Sequence, residues 1–157
     1  MFKRTSSKCK TLITVFAASI GLVGSPAPVS AGLFSATGNI IAILSDDLFV
    51  GEAEGHLNGS GTLAIRSQKN PGLICRGEFT SSAEQGGTGK LACSDGTTAT
   101  FSFQRLSVYR GHGVASFSRG TMNFAYGLTA DEAAPYLKLP AGKKLKHDGT
   151  QLALVDK

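Results

Sequence analysis

Glu52 and Glu54 stand two residues apart, a spacing that puts both carboxylates on one face of a strand. Such a pair can divide general acid and general base work when its surroundings separate the two pKa values. The same spacing also describes the wet face of any half-exposed sheet. Glu78 and Asp95 are the other acidic candidates. His56, His112 and His147 lie too far apart in the chain to make a short-spaced metal pair. No serine sits in a Gly-x-Ser-x-Gly elbow. The three Gly-x-Gly stretches open no long helix, so they lack the dipole that holds a phosphate. No catalytic residue, metal ligand or cofactor is therefore assigned, and the expectation is a protein that is not an enzyme.

Binding chemistry is better represented. Arg105, Arg110 and Arg119 flank aromatic strand-like segments, Tyr109 lies among them, and His112 sits between two glycines on an expected turn or bulge. Together they form a candidate contact face for a glycan, a lipid head group or an acidic protein of the cell envelope. The same arginines also serve as ordinary solubilising residues beside strands. Lysines 138, 143, 144 and 146 add charge near the C-terminus, without the apolar moment that inserts into lipid.

The compartment in which this chemistry operates is written at the N-terminus. Four basic residues precede an apolar run at 12–23, and Val29-Ser30-Ala31 offers small residues to a signal peptidase. A run of that length is short of the roughly 20 residues that cross a bilayer. The expectation is a signal peptide at 1–31 and one exported domain at 32–157, periplasmic or secreted, whose mature form spans no membrane. The sequence carries 16 basic and 11 acidic residues. Four basic residues leave with the signal, so the mature domain is nearly neutral and nucleic acid is excluded as a partner. Cys9 leaves too. Cys75 and Cys93 remain, and in an oxidising compartment they are expected to form one structural disulfide.

The elements that must position these residues are short strands. Residues 39–44 form an apolar run suited to burial on both faces. Asn58-Gly59 and Asp95-Gly96 signal hairpins. Ala99, Phe101 and Phe103 alternate with polar residues, as do Met122, Phe124 and Tyr126, which is the period of a half-buried strand. Residues 81–87 read as a polar loop. Thr129 and Glu132 fit a capping box opening a short helix, with Pro135 inside it. A last hairpin is expected over 143–155. The fold class is all-β, an antiparallel sandwich or small barrel with one short C-terminal helix.

Gly59-Ser60-Gly61-Thr62-Leu63, Gly87-Thr88-Gly89-Lys90-Leu91 and Gly111-His112-Gly113-Val114-Ala115 share a Gly-x-Gly-x-apolar pattern, read here as a loosened turn or bulge opening each strand. With Arg76-Gly77-Glu78-Phe79 before the second of them, the stretch resembles MORN repeats over about 50 residues. It departs from them in lacking the aromatic before the Gly-Glu step and in its uneven spacing. The resemblance implies a scaffold or binding surface. The functional expectation is thus a non-catalytic binding or structural protein of the bacterial envelope. The alternatives are a carboxylate hydrolase and a barrel that carries a small hydrophobic ligand. The carrier requires a cavity behind Phe101, Phe103, Phe117, Met122, Phe124 and Tyr126.

Overall fold

The computed structural model describes residues 35–82 and 84–157; the export segment read at 1–31 lies outside them. Eight strands run in chain order around a closed barrel: β1 (Ser35–Leu44), β2 (Asp47–His56), β3 (Ser60–Ser67), β4 (Ile74–Ser82), β5 (Gly86–Cys93), β6 (Thr98–Ser107), β7 (Arg110–Phe117) and β8 (Gly120–Tyr126). Each pairs antiparallel with the next, and β8 returns to β1 through Ile40↔Tyr126 to Leu44↔Met122. Closure leaves the barrel without an edge strand.

The register sets how wide the barrel is. One ring of cross-strand partners runs Ala36, Gly55, Gly61, Phe79, Gly89, Phe101, Ala115, Met122 and returns to β1 at Leu44, eight residues further along. Eight strands staggered by eight residues make a narrow barrel, whose interior side chains fill unless small residues leave space.

Glycines create that space, and they do so inside strands. A Cβ on Gly61 would lie 2.1 Å from Phe79 Cζ, on Gly89 2.3 Å from Phe101 Cζ, and on Gly113 2.5 Å from Phe124 Cζ. The Gly-x-Gly pattern therefore marks positions where a neighbouring strand's ring lies across the backbone. Of these three stretches, only Gly59 holds a turn, with φ +83°. The expectation of a turn or bulge opening each strand is corrected accordingly. The polar stretch 81–87 is likewise mostly strand. Ser81 pairs with Gly87 and Ser82 with Gly86; Ser81 continues the inward line of Phe79, and Gly87 leaves room for the Phe103 ring.

One end of the barrel is solid. Phe49, Cys75, Ala99, Phe117 and Met122 are buried there. Cys75 and Cys93 are direct cross-strand partners on β4 and β5, joined by the expected disulfide with their Cα atoms 3.9 Å apart. Below them the buried Ser67 hydroxyl donates to Asp47 Oδ2 (2.7 Å) and accepts from the Asn70 amide (2.8 Å), fastening the β3–β4 loop.

A second apolar cluster sits outside the barrel. After β8 come α1 (Ala130–Ala133), a 3-10 turn (Ala134–Tyr136), and the hairpin of β9 (Lys143–Asp148) and β10 (Gln151–Asp156). Leu128, Ala133, Leu137, Leu145 and Leu152 cover Ile41, Ile43 and Leu48. This explains the unbroken apolar run of β1, which faces the interior with Ile40, Ala42 and Leu44 and the covering segment with Ile41 and Ile43. The capping box is present: the Glu132 amide donates to Thr129 Oγ1, and Glu132 Oε2 accepts from the Thr129 amide (3.0 Å). Pro135 cuts the helix short by ending it in the 3-10 turn.

Candidate ligand cavity

The end of the barrel opposite the disulfide is hollow. A cavity of about 310 Å³ opens between the start of β1, the end of β2 and the β6–β7 turn. On one side its wall is small: Ala36, Gly38, Ala53 and Gly55. On the other, Phe79, Phe101, Phe103, Phe124 and Tyr126 form an aromatic wall, with Leu63 and Ile40 also lining the cavity. The rings brace one another edge to face, Phe79 on Phe103 at 5.6 Å, Phe101 on Phe124 at 5.8 Å and Phe103 on Tyr126 at 5.6 Å between centroids. The expected inner line thus divides. Phe101, Phe124 and Tyr126 face open space, whereas Phe117 and Met122 belong to the solid end.

Ser35, Thr37, His56 and Ser81 also line the cavity, but among the described residues Arg105 and Tyr126 are the two lining ones with a buried polar atom that lacks a partner. Arg105 and Tyr126 both oppose Gly111, from β6 and β8 respectively, so they flank a position that has no side chain. Two strand spacings separate them, roughly 10 Å between backbones. A register shift between Arg105 and Ser107 marks an irregularity at the end of β6, just beyond Arg105. The guanidinium is held in place by donation from Nη1 to the Val108 carbonyl (2.7 Å) and from Nη2 to Ser81 Oγ (2.8 Å). Its Nε is buried without a partner, and so is the Tyr126 hydroxyl. Among the described residues no carboxylate forms an ion pair with Arg105. Burial pushes the Tyr126 hydroxyl above its ordinary pKa, opposed by a smaller pull from the Arg105 charge. The neutral Tyr126 hydroxyl can donate and accept, and the guanidinium only donates.

The rim is apolar as well. Leu57 is 80 % exposed, and Val108 and Tyr109 are each 62 % exposed, and all three line the mouth. Leu106 adjoins them at 51 %.

The five candidate contact residues fall in three places. Arg105 and Tyr109 belong to the cavity. Arg110 and His112 are held by the C-terminal segment: Arg110 pairs with Glu132, and His112 stacks on Tyr136 at 4.3 Å. His112 is on strand β7, half-buried, and not on the expected turn, because its flanking glycines are occupied by rings from the barrel interior. Arg119 lies at the solid end, bonded to Asp95 (3.4 Å) and placed over Phe117. Glu52, Glu54 and Glu78 come together on one outer groove of the barrel with Arg76 and Lys90, away from the cavity, and Asp95 lies apart from them. Glu52 points outward on β2, across the wall from the cavity-lining Ala53, while Asp95 accepts from Thr97 in the β5–β6 turn. Among the described residues no group of His, Cys, Asp and Glu is arranged to hold a metal ion.

The sequence signal that could have marked the cavity is Arg105 itself. It occupies the inward position of an alternating run, Ala99-Phe101-Phe103-Arg105, where an apolar residue belongs. No protein-family model, curated protein or solved structure matches the chain.

Proposed function

We propose that the protein is a carrier of a small hydrophobic ligand, working in the bacterial envelope after export. The observation that supports this most directly is the hollow half of a barrel whose stagger permits a filled core. The small residues Gly38, Ala53 and Gly55 stand where larger ones would close the space. At about 310 Å³ the cavity lies within the usual range of small-molecule sites. It is roughly twice the size of an apolar cavity that admits one benzene, which suggests a ligand of about a dozen non-hydrogen atoms. The exposed apolar rim fits a portal through which such a molecule passes.

The test is titration of the exported domain with 1-aminoanthracene, a neutral apolar fluorophore. Saturable one-to-one binding with a blue-shifted emission is expected. Gly55→Leu is the control. A Cβ there meets only Phe79 Cζ, at 3.8 Å, so the side chain enters the cavity without striking backbone. This variant is expected to keep its melting temperature and lose the dye. Failure of the wild-type domain to bind the dye saturably, or equal binding by the folded variant, would overturn the carrier reading.

A further inference from the structure

We infer that the cavity takes an anionic amphiphile, with an oxyanion head group on Arg105 and Tyr126 at the mouth and an apolar tail directed into the barrel. This rests on the carrier reading and narrows it to a ligand class.

The argument begins with the cost of the vacant donors. A buried donor without an acceptor loses its hydration and receives nothing in return, a cost that falls on the Nε–H of the partly buried Arg105 and on the Tyr126 hydroxyl. Among the described residues no side chain or carbonyl partners Arg105 Nε or the Tyr126 hydroxyl. The Val108 carbonyl and Ser81 Oγ accept from Nη1 and Nη2 instead. Those two bonds fix the plane of the guanidinium and leave Nε–H free. Tyr126 Oη is the second vacant group, set across Gly111, and it lies so close to that strand that a Cβ on Gly111 would be 2.5 Å away. Two donors, one of them charged, call for an acceptor bearing negative charge and more than one oxygen. A carboxylate or a phosphate monoester meets that requirement. An ammonium head group can use Tyr126 Oη only as an acceptor, leaves the Arg105 Nε–H unmet and adds a like charge beside it, and a hydroxyl or amide satisfies the donors without offsetting the charge.

The remainder of the cavity sets the other end of the molecule. Beyond Arg105 and Tyr126 the walls are Ile40, Leu63, Phe101 and Phe124 with small residues opposite, and no charged side chain lines that depth. The head group therefore stays at the mouth and the tail goes in. The size estimated above corresponds to a medium-length acyl chain of about ten carbons, not to a two-chain lipid.

The experiment is displacement of bound 1-aminoanthracene from the exported domain by four ten-carbon ligands: decanoate, decyl phosphate, 1-decanol and decylamine at neutral pH. An oxyanion is expected to bind about ten- to a hundredfold more tightly than decanol, the range for a hydrogen bond to a charged group. Decylammonium should be the weakest. Which of decanoate and decyl phosphate binds better identifies the head group. Arg105→Gln should abolish the preference over decanol while the neutral dye still binds, and Tyr126→Phe should reduce it about fivefold. Decanol or decylammonium binding as tightly as both anions would overturn the inference and leave the carrier reading standing. So would an unchanged preference in folded Arg105→Gln. Absence of any dye binding removes the carrier reading and the inference together. If a variant does not fold, the wild-type head-group series decides alone.

Discussion

The ring of Phe79 occupies the volume that a side chain on Gly61 would need, its Cζ 2.1 Å from where the Cβ would stand. The two residues are cross-strand partners on β3 and β4, and the contact recurs around the barrel with Phe101 on Gly89 and Phe124 on Gly113. A narrow barrel can line its hollow half with large rings because each of these rings has a glycine to lie against.

Gly61→Ala is therefore expected to destabilise by about 1–3 kcal/mol, the usual cost of overpacking, since the Glu54 carbonyl at 2.5 Å blocks the other escape. Gly55→Ala, whose Cβ makes only an ordinary contact, should stay within about 0.5 kcal/mol of wild type. Denaturant midpoints measured on the pair check this. Equal midpoints would remove the steric account of the glycine pattern.

Cys75 and Cys93 close a loop of 18 residues at the solid end, remote from the mouth. Replacing both with Ala should cost about 3 kcal/mol in the chain-entropy account of disulfides. Dye affinity, measured where the variant is still folded, should be unchanged. A large loss of affinity would show that the hollow end depends on the bridge.

Glu132 has its carboxyl lowered to about 2, first by its bond with Arg110 and then by those to the Thr129 amide and hydroxyl. A depressed carboxyl contributes stability that is complete above its ordinary value of 4.5 and is lost as pH falls through the folded value. The docking of α1 should weaken between those limits, and Arg110→Ala should raise the titration midpoint. Carboxyl carbon shifts followed by NMR report both. A wild-type midpoint near 4.5 would show that the pairing does not hold in solution.

The alternation of Ala99, Phe101 and Phe103, the doubly buried run of β1, and the Thr129–Glu132 capping box were legible in the sequence because each is a local pattern with a local cause. Sandwich and barrel were not distinguishable that way, since closure is a pairing between β1 and β8 that no local period encodes. The role of the inner glycines depends on which residue lies opposite each of them, which is a matter of register. The cavity depends on stagger as well. Arg105 was legible as a contact residue, and the alternation Ala99-Phe101-Phe103-Arg105 carries the signal that it points inward; the bonds that fix its head group are tertiary and were not legible.

β1 is the strand with the most distant obligations. Its Asn39 side chain donates to the Leu128 carbonyl 89 residues away, its interior face closes only on β8, and its outer face waits for the C-terminal hairpin. In a chain made from its N-terminus, the first described strand to emerge is the last to be covered. Ile40-Ile41-Ala42-Ile43-Leu44 is an uncharged, β-branched run of the kind that pairs with other chains when left bare. A nascent or truncated chain ending before residue 122 thus presents this segment unprotected. Those five residues stay open to pairing with other chains until the last quarter of the chain is in place.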